Sequence, residues 1–170
     1  MGLLQRLFGP ADRGTAPRLY EGVVAQARRP HWYQAGAVPD TVDGRFDMIA
    51  AILSLVILRL EQDPAGATTS ASVAECFVED MDGQLREFGI GDIVVGKHIG
   101  RMMSMLGGRI GAYRDGFERG SLATALTRNV YRGDAPDPAA VGHVEGALLA
   151  FRATLAATPV ETLVAGRLPQ

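Results

Sequence analysis

The stretch GDIVVGKH, Gly91 to His98, is the part of the chain that comes nearest to a phosphate-binding motif. A P-loop cradles phosphates with a glycine-rich backbone, and a Ser or Thr after its lysine holds magnesium. Here His98 replaces that hydroxyl residue, the residues between the glycines are Asp, Ile, Val and Val, and no strand is predicted ahead of them. The stretch is better interpreted as a helix end followed by the N-cap Asp92 of the next helix, without nucleotide binding.

Histidines and carboxylates are the other side chains suited to chemistry. His31, His98 and His143 fall in different elements, and no nucleophile motif such as GxSxG accompanies them. The acidic residues between positions 75 and 87 fall mainly on the solvent side of a predicted helix, and EDMDG lacks the remaining ligands of a calcium loop. The sequence therefore predicts no catalytic residue, no metal site and no cofactor.

The composition narrows the classes of function. The 170 residues carry a net charge of -2 and the basic residues are scattered, which argues against charge-driven nucleic-acid binding. The single cysteine, Cys76, cannot form an internal disulfide and favours a reducing compartment. The longest apolar run, Met48 to Leu58, is shorter than the ~20 residues that span a bilayer. We expect a cytoplasmic protein without a membrane-spanning segment.

Residues 1–16 are expected to form a flexible N-terminal segment ahead of the folded domain. The apolar side chains around Arg6 in this segment are Leu3, Leu4, Leu7 and Phe8. Such a cluster could make weak contact with a membrane surface, and a frayed terminus is the alternative interpretation. Residues 17–170 are predicted to form one helical domain.

Apolar residues at spacings of three and four recur along most of the chain, which predicts helices and no strands. The predicted helices cover about 18–28, 43–61, 71–88, 92–117 and 122–131, and a last long helix follows the N-cap Asp137. Apolar residues surround the second helix almost completely, so it should be the central and most buried one. The predicted fold class is all-α, a single-domain bundle of about six to seven helices.

The helix predicted over 92–117 carries small residues at regular intervals beside its apolar stripe. They are Gly96, Gly100, Ser104, Gly108 and Gly111. A glycine inside a helix costs about 0.8 to 1 kcal/mol relative to alanine, so their number indicates that another backbone approaches this face. Met102, Met103 and Met105 add the flexible apolar surface that adaptable binding sites use. Two alternatives remain: the face packs on a neighbouring helix of the same bundle, or it binds a partner.

Five long stretches of the chain resemble one protein family. They are VPDTVDGRFDMI, VEDMDGQLREFGIGD, VGKHIGRMM, GGRIGAY and LTRNVY, in this order between about Leu19 and Tyr131. In order and spacing they resemble the ubiquinol-cytochrome c chaperone family, which assists the assembly of cytochrome b into respiratory complex III. The resemblance implies an all-helical assembly factor without catalytic activity that binds newly made cytochrome b near the membrane.

The resemblance also bears on partners and location. Mitochondrial members of the family carry a long presequence and act with a small partner subunit at the ribosome. This chain has almost nothing ahead of the matching region, so we expect a bacterial homologue, cytoplasmic and peripheral to the inner membrane. Its expected partners are cytochrome b and, peripherally, the membrane surface, with a small partner subunit left open and no direct nucleic-acid contact.

The stretch VPDTVDGRFD, Val38 to Asp47, indicates a turn and an N-cap ahead of the central helix. A cap needs one aspartate, and the resemblance covers the whole stretch, so we expect it also to shape a polar rim beside the helix predicted over 92–117. The predicted client-binding residues are Asp40, Arg45, Asp47, Lys97, Gly100, Arg101, Met102, Met103, Ser104, Met105 and Arg109. The alternative function is a helical carrier that holds a small apolar ligand, a quinone or a lipid, between its helices.

Overall fold

The computed structural model describes the backbone of residues 13–87 and 95–169 and the side chains of residues 13–84 and 100–169. Within these ranges the chain forms seven α-helices and no strand, which confirms the all-α prediction. The helices are α1 (Ala16–Ala27), α2 (Val42–Leu60), α3 (Ala67–Glu87), α4 (Val95–Arg119), α5 (Ala123–Asn129), α6 (Pro138–Ala157) and α7 (Val160–Val164). Short 3-10 turns at Pro30–Trp32 and Pro64–Gly66 precede α2 and α3.

Two predictions from the sequence concern the membrane: weak contact by the apolar cluster around Arg6, and the absence of a membrane-spanning segment. The apolar cluster around Arg6 lies outside the described residues. None of the described helices is both long enough and apolar enough to cross a bilayer.

Helix α2 lies at the centre of the bundle, as predicted from the apolar residues that surround it almost completely. Every residue from Asp47 to Ile57 is buried, and the helix contacts α1, α3, α4, α6 and α7. The hydroxyl of Ser54 donates to the Ala50 carbonyl at 2.6 Å, so this buried polar group is satisfied inside the helix. Packing on all sides therefore stabilises α2, although its many β-branched residues have only moderate helix propensity.

Helix α3 turns its apolar face inward. Its described apolar residues at spacings of four, Val73, Phe77 and Met81, are all buried. The helix begins four residues earlier than predicted because the Asp63 carboxylate accepts a hydrogen bond from Ala65 N–H at 2.9 Å. This cap starts a 3-10 turn that leads directly into Ala67.

The outer face of α3 forms ion pairs with the residue that leads into α1. Glu75 and Glu79 are exposed and both pair with Arg13, which precedes α1. The hydrogen bond from Arg13 holds the pKa of Glu79 below its usual range. The acidic residues described on this helix are thus a solvated face that also ties the start of the described chain to α3.

Helix α6 begins as the sequence predicts. The Asp137 carboxylate accepts a hydrogen bond from Ala139 N–H at 2.7 Å, and Pro138 occupies the first helical position. At the other end, Arg59 of α2 donates to the Leu155 carbonyl at 3.0 Å and to the Thr158 carbonyl at 2.9 Å. A guanidinium here adds hydrogen bonds to carbonyls at the end of the helix and complements the helix dipole.

The turn before α2 folds tightly over the first turn of that helix. Thr41 is the N-cap, and its hydroxyl accepts a hydrogen bond from Gly44 N–H at 3.1 Å. A Cβ at Gly44 would lie 1.8 Å from the carbonyl oxygen of Pro39. The glycine in VPDTVDGRFD therefore permits a close backbone approach that no other residue allows.

We expect Gly44→Ala to lower the free energy of unfolding by about 1 to 3 kcal/mol or more, because the added methyl group must displace backbone. Gly146→Ala is the matched control: Gly146 is exposed inside α6, and no described atom lies within 4 Å of its Cβ position. Alanine should stabilise α6 there by up to about 1 kcal/mol. Urea melts compare the two variants, and similar stability for both would contradict the close contact at Pro39.

Candidate functional site

The small residues of α4 leave one side of the helix open. We call Gly100, Ser104, Gly107, Gly108 and Gly111 the glycine face. Ser104 is exposed, and at each of the four glycines no described atom lies within 4 Å of the position that a Cβ would take. For the part of the bundle that the structure describes, the face therefore does not pack on a neighbouring helix.

Gly116, further along α4, provides the contrast. A Cβ there would lie 2.8 Å from Leu122 Cδ2 and 3.0 Å from the Ser121 carbonyl oxygen. This glycine lets the chain turn closely from α4 into α5. Among the described residues, the glycines of the glycine face have no such contact.

The opposite side of α4 packs into the core. Met102, Leu106 and Tyr113 are buried there. At 100° per residue, helical geometry places all three roughly opposite Ser104. Met102, predicted to contact a client, is therefore a core residue, and this part of the site prediction is corrected.

Two methionines border the glycine face on its two sides. Met103 is 43% exposed and Met105 is 40% exposed. Arg101 is also exposed, one turn before Met105. Exposed methionines provide the flexible apolar surface that adaptable binding sites use. Lys97, another predicted contact, lies outside the described side chains.

A groove of about 330 Å³ continues the glycine face toward α5. Gly108 and Gly111 belong to both the face and the groove. Arg119 and Arg128 bring two guanidinium groups to the groove, and Asp115 brings one carboxylate. The glycine face and the groove together form a strip with a small-residue centre and a mostly basic end.

An internal ion-pair cluster joins α2, α4 and the segment after α5. The Asp47 side chain is 0% exposed and accepts hydrogen bonds from Arg109 Nη2 and Arg132 Nε, each at 2.7 Å. Arg109 also donates to the Asn129 carbonyl at 3.0 Å, and Arg132 donates to Asp43 at 2.8 Å. These charged hydrogen bonds replace the water that the Asp47 carboxylate loses on burial.

The cluster corrects the predicted polar rim. Asp47 lies inside the protein and Arg109 is mostly buried, because each satisfies the charge of the other. Arg132 is the third charged partner in the cluster, and it was not among the residues predicted from the sequence. Its backbone has a φ of 53°, a left-handed conformation that is uncommon outside glycine, and the hydrogen bond to Asp47 raises the pKa of its guanidinium. Asp47 and Arg109 therefore join α2 to α4 inside the protein, whereas Arg132 and Asp43 extend the cluster to the surface.

The other two predicted rim residues lie at the surface. Asp40 and Arg45 pair with each other at 2.8 Å, and both side chains are more than half exposed. An exposed pair of this kind contributes little to stability. Asp40 and Arg45 thus remain available to a partner at the start of α2.

A histidine pair is a second feature that the sequence did not predict. His31 Nδ1 lies 3.1 Å from His143 Nε2, and the two rings meet edge to face with centroids 5.3 Å apart. Burial lowers the pKa of His31, and the charges of His143 and Arg29 lower it further. His31 and His143 are 112 residues apart, so no local spacing signals their contact.

Comparison with known proteins agrees with the fold and with the resemblance. The family profile described as ubiquinol-cytochrome C chaperone matches residues 34–169. A crystal structure described as that of the Cbp3 homolog from Brucella abortus is similar over 98% of this chain and 95% of that chain, with 33% sequence identity and a TM-score of 0.81. No curated protein matches the chain significantly. Since the family profile covers well over half of the chain, the protein belongs to the ubiquinol-cytochrome C chaperone family.

Proposed function

We propose that this protein is an assembly chaperone that binds newly made cytochrome b and assists its assembly into ubiquinol-cytochrome c oxidoreductase, complex III. Membership of the chaperone family supports the assembly role. One structural observation supports the site: at the four glycines of the glycine face, a Cβ would meet no described atom within 4 Å apart from the nearby backbone of α4 itself. We therefore assign client binding to the glycine face and to its bordering side chains Arg101, Met103 and Met105.

The chemistry of this surface suits a helix from a membrane protein. Small residues let two helix backbones approach closely, which is how membrane helices commonly pack on each other. Exposed methionines adapt their shape to different apolar partners. Arg101, Arg119 and Arg128 would meet polar or acidic groups at the ends of such a helix, as flanking charges do in helix-in-groove recognition.

Location and mode of action follow from this client. We propose that the protein acts without catalysis, as a chaperone that covers apolar surface until the client is incorporated. Because cytochrome b is inserted into a membrane, we place the protein in the cytoplasm, peripheral to the inner membrane of a bacterium. A small partner subunit would have room to bind elsewhere on the surface.

The carrier alternative receives less support. Four grooves between described residues, of about 330 to 700 Å³, are open to solvent. Their linings include charged side chains such as Arg13, Glu79 and Arg152. A quinone or lipid carrier instead needs a largely enclosed apolar cavity.

Deletion of the gene tests the proposed function. We expect the deletion strain to lose complex III and its b-type haem absorbance while its soluble metabolism is unaffected, because only assembly of the membrane complex depends on the chaperone. The wild-type chain should restore complex III. Normal complex III in the deletion strain would rule out the assembly role.

A pair of complementing variants tests the site. Gly100→Leu adds bulk to the glycine face, whereas Gly146→Leu makes the same change at an exposed glycine of α6 that is equally open. We expect Gly146→Leu to restore complex III and Gly100→Leu to restore much less. Equal restoration by both variants would move client binding away from α4.

A further inference from the structure

The His31 and His143 pair has the geometry of a chelating site. Its two ring nitrogens, Nδ1 and Nε2, are 3.1 Å apart. Zinc binds histidine nitrogen at about 2.0 to 2.1 Å, and tetrahedral coordination then places two such nitrogens about 3.3 Å apart. A small separation and tilt of the rings would therefore let one ion replace the proton that the two imidazoles now share. His143 is exposed, so it can tilt and water can fill the remaining coordination positions.

The turn that carries His31 is fixed before any ion binds. The His31 ring packs against Trp32 with centroids 4.1 Å apart, and the fully buried Trp32 donates from Nε1 to the Gln26 carbonyl at 2.8 Å. Gly36 seats the same turn on α6, because a Cβ there would lie 2.5 Å from Val144 Cγ2. A ligand on such a rigid support loses little conformational freedom when it binds, which favours chelation.

The chemistry of the pair selects the class of ion. Among the described residues, no group of three His, Cys, Asp or Glu side chains could hold a metal, so the two imidazoles would be the protein ligands. Imidazole suits Zn²⁺, Ni²⁺ and Cu²⁺, whereas Mg²⁺ and Ca²⁺ require oxygen ligands. We propose that His31 and His143 together bind one transition-metal dication of this class, which fastens the Pro30–Trp32 turn to α6.

The test uses the full chain without a histidine tag, freed of metal by a chelator that is then removed. ZnCl₂ and NiCl₂ are titrated at pH 7.5 in a calorimeter, and the thermal midpoint is measured with and without each salt. We expect one ion per chain and a midpoint that rises with metal concentration, because an ion that binds the native state stabilises it by mass action. MgCl₂ should leave the midpoint unchanged.

Three variants assign the site. His31→Gln and His143→Gln should each weaken Zn²⁺ binding by more than the roughly 10- to 100-fold that loss of a supporting contact costs. The exposed His143→Gln variant keeps the test valid if the partly buried His31→Gln variant folds poorly. His98→Gln is the matched control and should bind as the unaltered chain does. The proposal is wrong if no ion binds, if binding survives in His143→Gln, if His98→Gln abolishes it, or if one ion is shared by two chains.

Discussion

Replacing Asp47 by alanine is expected to lower the free energy of unfolding by about 3 to 5 kcal/mol, since removing one partner of a buried ion pair leaves the other charge uncompensated. Asp47 is fully buried and accepts hydrogen bonds from both Arg109 and Arg132. Without it, two guanidinium groups at the junction of α2 and α4 would lose their buried partner. We expect the unfolding midpoint in urea to fall accordingly.

Asp40→Ala is the matched control. Asp40 lies seven residues earlier and also pairs with an arginine, Arg45, but both side chains are exposed. Its loss should cost no more than about 1 kcal/mol, because water screens an exposed pair. Comparable losses in the two variants would contradict the internal role of the Asp47 cluster.

The second large effect is expected on α4, where Leu106→Ala should cost about 2 to 5 kcal/mol. Leu106 is buried on the core side of the helix, so truncation leaves a cavity among close-packed neighbours. Gly100→Leu changes the other side of the same helix. Because that position is open, the larger side chain should leave stability unchanged or raise it, since leucine forms helices about 1 kcal/mol better than glycine.

Denaturant melts of the two α4 variants check this contrast. Gly146→Leu serves as the control for Gly100→Leu, because it makes the same exchange at an open position of α6. Both glycine variants should behave alike in stability. If Gly100→Leu alone lost about 1 to 3 kcal/mol of unfolding free energy, the new side chain would be overpacked against residues inside the bundle. The glycine face would then not be open.

Much of the fold could be predicted because its signals are local. Apolar residues lie on nearly all sides of α2 between Met48 and Leu58. This pattern is enough to predict that α2 is central, since a helix that is apolar all round has to be buried. Asp137 followed by Pro138 marks the start of α6 through bonds to its own neighbours. The start of α3 was predicted four residues too late because Asp63 caps the 3-10 turn Pro64–Gly66, which leads directly into Ala67.

The candidate site was only partly predictable. Periodicity separates the apolar and small-residue sides of α4, but it does not decide whether a small-residue face meets another helix of the bundle or remains open. Met102 is a second position whose environment the sequence does not reveal directly. It adjoins Met103 in the sequence, yet a rotation of 100° per residue places one in the core and leaves the other exposed.

The contacts that sequence reasoning missed all join distant parts of the chain. Asp47 and Arg132 are 85 residues apart, and His31 and His143 are 112 apart. An aspartate at a helix start is well explained by capping and by the helix dipole, so nothing local indicates that Asp47 needs two arginines. Such pairings become visible only when the packing of α2, α4 and α6 is known.

Recovery of newly made cytochrome b with the purified chaperone tests client binding on the glycine face. The wild-type chain, Gly100→Leu and Gly146→Leu are captured at equal levels from cells that synthesise cytochrome b, and the co-purified client is quantified. We predict equal recovery with the wild-type chain and Gly146→Leu, and a loss with Gly100→Leu although that variant is fully folded. Undiminished recovery with Gly100→Leu would contradict client binding on the glycine face of α4.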